Sequence, residues 1–99
     1  MRAVVPADLD HCARTLAAQP AGTQAETMAR ILHRADTADR YRKRTGRLLA
    51  GHGDGSLTTA AWTIRHAPPP PRCDAAYCAA LGVVLAALHG WRTRAHAYS

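Results

Sequence analysis

Apolar residues recur along this chain at helical spacing, and no run of four to eight residues alternates as a half-buried strand would. Four helical segments follow from that pattern. In the first, Leu9, Cys12, Ala13 and Leu16 share a face. Pro6 suits its opening turn, and Asp8 and Asp10 sit near its positive end. Gln19-Pro20-Ala21-Gly22 ends it. The second is the most strongly patterned: Met28, Ile31, Leu32, Ala35 and Ala38 form one stripe. Thr23 and Glu26 have the spacing of a capping box, and Gly46 supplies a stop after about Thr45.

Gly51, Gly53 and Gly55 predict a loop, after which Ser56 can cap a short third helix carrying Leu57, Ala60, Ala61 and Ile64, with Trp62 beside them. Pro68 to Pro71 are four prolines in a row, a stiff polyproline spacer. Asp74 can cap the last helix, on which Tyr77, Leu81, Val84, Leu88, Trp91 and Ala95 step by four, three, four, three and four. That heptad-like seam is shorter than the three to four heptads of a coiled coil. The expected architecture is all-α: a small bundle of about four helices in one domain over 1–99. Its parts are N-terminal helices over 1–67, a spacer at 68–72 and a C-terminal helix over 73–99.

Composition adds a constraint on stability. Leu, Ile and Val total 15 residues against 22 alanines, and there is no Phe. A core of alanine methyls buries little area, at roughly 25 cal/mol per Å², so a monomer should be marginal and self-association should help it. The seam residues Tyr77, Leu81, Val84, Leu88 and Trp91 are the expected oligomerisation surface. A large β-sandwich and a self-contained α/β enzyme are excluded by the same arithmetic.

Charge points to a partner class. Thirteen Lys and Arg face seven Asp and Glu, a formal net charge of +6, and twelve of the thirteen are Arg. Such a balance attracts polyanions, nucleic acid first. The densest run is Ala38 to Arg47, where Arg40, Arg42, Lys43, Arg44 and Arg47 crowd the end of the second helix. One reading makes them a phosphate-contacting face, with salt-dependent binding from counterion release. The other makes them a solvated face partly balanced by Asp36 and Asp39. Arg42 points toward the apolar side, where it must snorkel or pair with Asp39. Tyr41 can stack on a base or pack against a helix.

Other chemistry finds little footing. Cys73 and Cys78 are five apart with no second pair at matching distance, and His89 and His96 have no nearby carboxylate, so no metal and no cofactor is expected. The cysteines are expected to be buried as small apolar groups and the histidines to face solvent. Gly51-His52-Gly53-Asp54-Gly55-Ser56 lacks the Lys of a phosphate-binding loop and follows no strand. Ser56, His52 and Asp54 are too close in sequence to align as nucleophile, base and orienter. The expectation is a non-enzyme. No secretory signal opens the chain, the three cysteines form an odd set, and the weakly polar stretch from Ala75 to Leu88 is short for a bilayer span. A cytoplasmic protein with free thiols and no membrane contact fits these features.

The order DLDHCARTLAAQP, ADRYRKRTGR, GDGSLTTAA and CDAAYCAALGVVLAAL covers most of the chain and resembles a small alphaproteobacterial family. Through that family it resembles the small terminase of gene transfer agents, phage-like particles that package host DNA. The resemblance implies a DNA-packaging adaptor that forms a homo-oligomer, associates with double-stranded DNA and contacts a large terminase ATPase. The chain departs from the usual phage pattern in having no clear helix-turn-helix reader, which suits packaging with little sequence preference. The alternative is a small helical regulator that docks on an acidic protein partner.

Overall fold

The computed structural model describes residues 1–65 and 74–97, with side chains described to residue 94; the polyproline spacer therefore lies outside the described residues. Four helices form: α1 Pro6–Ala17, α2 Gln24–Thr45, α3 Leu57–Ile64 and α4 Ala75–Ala97. Among the described residues there is no strand, only an isolated bridge between Leu49 and Gly53. The all-α expectation holds.

Helices α1, α2 and α3 bury most of the stripe their spacing predicts, whereas α4 fully buries Val84 of its seam together with Ala80, which lay outside it. Cys12, Ala13 and Leu16 of α1 meet Met28, Ile31, Leu32 and Ala35 of α2, Leu57, Ala60 and Ala61 of α3, and Ala80 and Val84 of α4. Both α1 and α2 pack against α3 and α4. Burying Cys12 raises its thiol pKa to about 12, chiefly through desolvation and then through the Asp8 charge. That thiol is a small apolar filler. Cys78, by contrast, is exposed, against the expectation that the cysteines are buried.

The seam on α4 finds its partner within the chain. Val84 is fully buried, and Tyr77, Leu81, Leu88 and Trp91 pack against the shared core. A seam of steps three and four serves a helix of the same chain as well as a helix of another, so spacing does not distinguish the two. The expected oligomerisation surface thus faces α1 and α2. The α4 helix lies within its expected bounds, but its apolar part is longer than the expected Ala75 to Leu88: Ala75–Arg94 is a 20-residue stretch of mean hydropathy 1.2, long enough by length and composition to cross a bilayer.

Helix ends follow their caps, with one exception. The Ser56 hydroxyl accepts from Thr59 N–H at 3.2 Å, and Asp74 accepts from Tyr77 N–H at 2.9 Å. Gly46 closes α2 in the left-handed conformation, φ 72°, donating to Arg42 O at 2.8 Å. The capping box at Thr23 does not form. A 3-10 turn at Ala21–Thr23 leads into α2, leaving Thr23 at φ −109°, ψ −3°. Its hydroxyl donates to Pro20 O instead, and Gln24 reaches back to Leu16 O at 2.9 Å.

One buried carboxylate joins two helix starts. Asp8 is 3% exposed. It accepts from Val5 N–H at 3.0 Å, ahead of α1, and from Thr58 N–H at 3.1 Å, in the first turn of α3. The Thr58 hydroxyl donates to the same oxygen. Together Ser56 and Asp8 satisfy two of the amides that open α3.

Candidate nucleic-acid interface

The basic cluster sits where α2 stops. Cations in a last helical turn offset the negative end of the helix dipole, so Arg42, Lys43 and Arg44 support the helix whatever else they do. Two of the five candidate residues are held by carboxylates one turn earlier. Arg40 pairs with Asp36 at 3.0 Å and Lys43 with Asp39 at 2.9 Å. Both cations remain largely in water, with side chains 78% and 72% exposed, so these pairs add little stability.

Asp39 itself is buried, and its Oδ2 also lies 3.0 Å from the Met1 amino group, which is 3.1 Å from Asp36. Burial pulls the Asp39 carboxyl upward, but Lys43 and the Met1 amine outweigh it and hold the group below its ordinary value. Of the two alternatives for Arg42, snorkelling or pairing with Asp39, the pairing is not made: Lys43 and the amine occupy that carboxylate. Arg42 is half-buried.

Arg44 is exposed, its guanidinium 5.8 Å from the centre of the Tyr41 ring. Arg47 lies beyond the Gly46 stop, so it belongs to the loop and not to a helix face. Among the described residues, Arg42, Arg44 and Arg47 form no salt bridge.

Not all five share one surface. Arg40, Arg44 and Tyr41, with His33, Asp36, Thr37 and Leu49, line a shallow open groove of about 320 Å³. Arg42, Lys43 and Arg47 do not line it. The other strongly basic residue of α2 facing a neighbour, Arg34, is used internally, donating to the Thr63 hydroxyl at 2.7 Å. The i, i+4 spacings of Asp36 with Arg40 and of Asp39 with Lys43 were the sequence signal for partial neutralisation. Nothing in the spacing pointed to Leu49, which reaches the groove because the chain turns back after Gly46.

The Gly51–Gly55 loop has a different purpose. All three glycines have positive φ, and two have no room for a side chain. A Cβ on Gly53 would run into the Thr59 hydroxyl, and one on Gly55 would fall 2.9 Å from Asp39 Cβ. Asp54 Oδ1 accepts from Ser56 N–H and from the Thr59 hydroxyl, each at 2.9 Å, while Oδ2 pairs with Arg2 at 3.1 Å. Burial raises this carboxyl, yet the Ser56 and Thr59 bonds and the Arg2 charge win and push it to about 2. The loop's polar groups are turned on one another.

The chain belongs to the family described as Domain of unknown function (DUF7742). The family model matches residues 2–88, which takes in α1, α2, α3 and most of α4. No curated protein and no solved structure matches the chain.

Proposed function

We propose that this DUF7742 protein is a non-enzymatic helical adaptor that binds duplex DNA through its phosphates at the C-terminal end of α2. The observation that carries the reading is the group Arg42, Arg44 and Arg47, cations without a salt bridge among the described residues, beside the exposed Arg40 and Lys43. A net charge of +6 adds a long-range attraction to any polyanion. Phosphate contacts position a protein without reading bases, so binding is weakly sequence-dependent. A single copy binds weakly, and an assembly of copies binds by summed contacts. The resemblance to a small terminase supplies the wider role: a cytoplasmic homo-oligomer that presents DNA to a large terminase ATPase.

Binding of a random 30-base-pair duplex across a salt series tests this. Replacing Arg42, Arg44 and Arg47 by Glu should weaken binding to every duplex alike. It should also flatten the slope of log affinity against log salt by roughly 0.9 for each phosphate that is no longer neutralised. Helix content should fall by no more than the last turn of α2, which loses cations at its negative end, because the buried stripe is untouched. Unchanged affinity and slope would make the cluster a solvated helix end, and tight binding to an acidic protein with none to DNA would favour the regulator reading.

A further inference from the structure

The outer face of α4 is apolar and bare. Opposite the buried Ala80 and Val84 lie Ala75, Cys78, Ala79, Gly82, Leu85 and Ala86, all six exposed, with His89 beyond them, and only 11% of the Ala75–Arg94 stretch is buried. Leu85 is 48% exposed. Gly82 stands mid-helix, where glycine costs about 1 kcal/mol relative to alanine. A Cβ there would meet nothing within 4 Å, so packing within the chain gives no reason for it.

We infer that this face is the contact between two copies of the chain, paired through antiparallel α4 helices with Leu85 of each seated over Gly82 of the other. Shape selects a second copy. Leu85 projects and Gly82 is recessed, three residues apart on one side of the helix, so a two-fold axis between them matches each knob to a hole. Charge does not oppose it locally. Any two copies carry the same +6, and the strip from Ala75 to Gly90 holds no Asp, Glu, Lys or Arg. Two copies can therefore meet there without opposing like charges, and antiparallel helices set opposite dipole ends together.

An acidic partner is drawn instead to the end of α2. A bilayer-spanning α4 is a poor alternative because its other side is committed: Ala80 and Val84 are fully buried, and the Tyr77 hydroxyl donates to Asp10 at 2.8 Å. This inference rests on the self-association within the adaptor reading, and it moves that contact from the seam to the opposite face.

Sedimentation equilibrium of the full chain under thiol reductant, from about 1 to about 100 µM, tests it. The wild type should be dimeric at tens of micromolar. Leu85→Glu should raise the dissociation constant at least tenfold with unchanged helix content, whereas Leu48→Glu, at a 64% exposed leucine outside α4, should leave it unchanged. Gly82→Leu, placed in open space in the monomer, should weaken pairing at least tenfold without loss of helix; it decides the matter should Leu85→Glu fail to fold. A monomeric wild type at the top of that range, or a dimer indifferent to both substitutions, overturns the inference. Flotation of the wild type on neutral phosphatidylcholine vesicles, abolished by Leu85→Glu, overturns it in favour of a lipid surface. The duplex titration keeps the two proposals apart. A dimer that ignores DNA refutes only the phosphate reading, and a monomer that binds DNA with a steep salt slope refutes only the pairing.

Discussion

The segment from Gly51 to Thr59 and the outer face of α4 are both glycine-containing and both at the surface, yet they are built in opposite ways. In the first, polar groups are consumed locally. Asp54 takes bonds from Ser56 and Thr59 and pairs with Arg2, Asp8 takes Thr58, and Gly53 and Gly55 are hemmed in by Thr59 and Asp39. On α4, Leu85 is half in water and Gly82 faces open space. One region is explained by contacts inside the chain. The other spends helix propensity and apolar surface on nothing within it, which is the mark of a surface made for something outside. A sequence that looks like a ligand loop can thus be scaffolding, while the alanine-rich α4 keeps an apolar face that contacts within the chain do not explain.

The sharpest break in that contrast is at Asp8. Asp8→Ala removes the acceptor of Val5 and Thr58 at once, leaving buried donors at two helix starts. The expected loss is about 3 kcal/mol in urea unfolding, against almost none for removing the exposed Leu85 side chain by L85A in the monomer. Next comes a matched pair of glycines. Gly55→Ala forces an alanine to φ 99° and into the Asp39 backbone, so it should destabilise by about 2 kcal/mol. Gly82→Ala meets open space on a regular helix and should stabilise the monomer by about 1 kcal/mol. Opposite signs in thermal melts of monomeric protein would confirm that the loop is fitted and the helix face is not. Equal destabilisation would erase the contrast.

Much of the fold was legible because it depends on local chemistry. The Met28–Ala38 stripe, the Gly46 stop and the caps at Ser56 and Asp74 all follow from spacing and residue type. What was not legible depends on contacts distant in sequence. Asp8 reads as a favourable charge near a helix start, but its bonds to Thr58 span fifty residues. The Thr23–Glu26 box was the right signal at the right place and was overridden when Pro20 led into a 3-10 turn. For the basic cluster, residue identity and position were readable. Which cations were neutralised was readable only in part: i, i+4 spacing gives Asp36 with Arg40, but the competition for Asp39 between Lys43, Arg42 and the Met1 amine is settled in three dimensions.

The smallest expected effect separates the loop from the helix by pH. Asp54 has a folded pKa of about 2, below the ordinary carboxylate value of 3.8, because its bonds and the Arg2 charge favour the ionised form. A depressed folded pKa contributes stability that is fully present above the unfolded value and is lost as pH falls from about 4 toward 2. Asp54 is 34% exposed and its Arg2 partner 44%, so solvent screens the pair, and no more than about 1 kcal/mol is expected at neutral pH. Asp54→Asn keeps the shape and removes the charge. Urea unfolding at about pH 5 should therefore show the variant less stable than wild type, with the gap narrowing steadily as pH falls from about 4 toward 2. Other carboxylates, Asp39 among them, weaken both proteins in acid, and the difference between the two cancels that common loss. A gap that stays constant with pH would mean that the loop is held by packing of Gly53 and Gly55 alone. A substitution confined to α4, such as Gly82→Ala, should give an offset that does not change over the same range, because no carboxylate lies on that face.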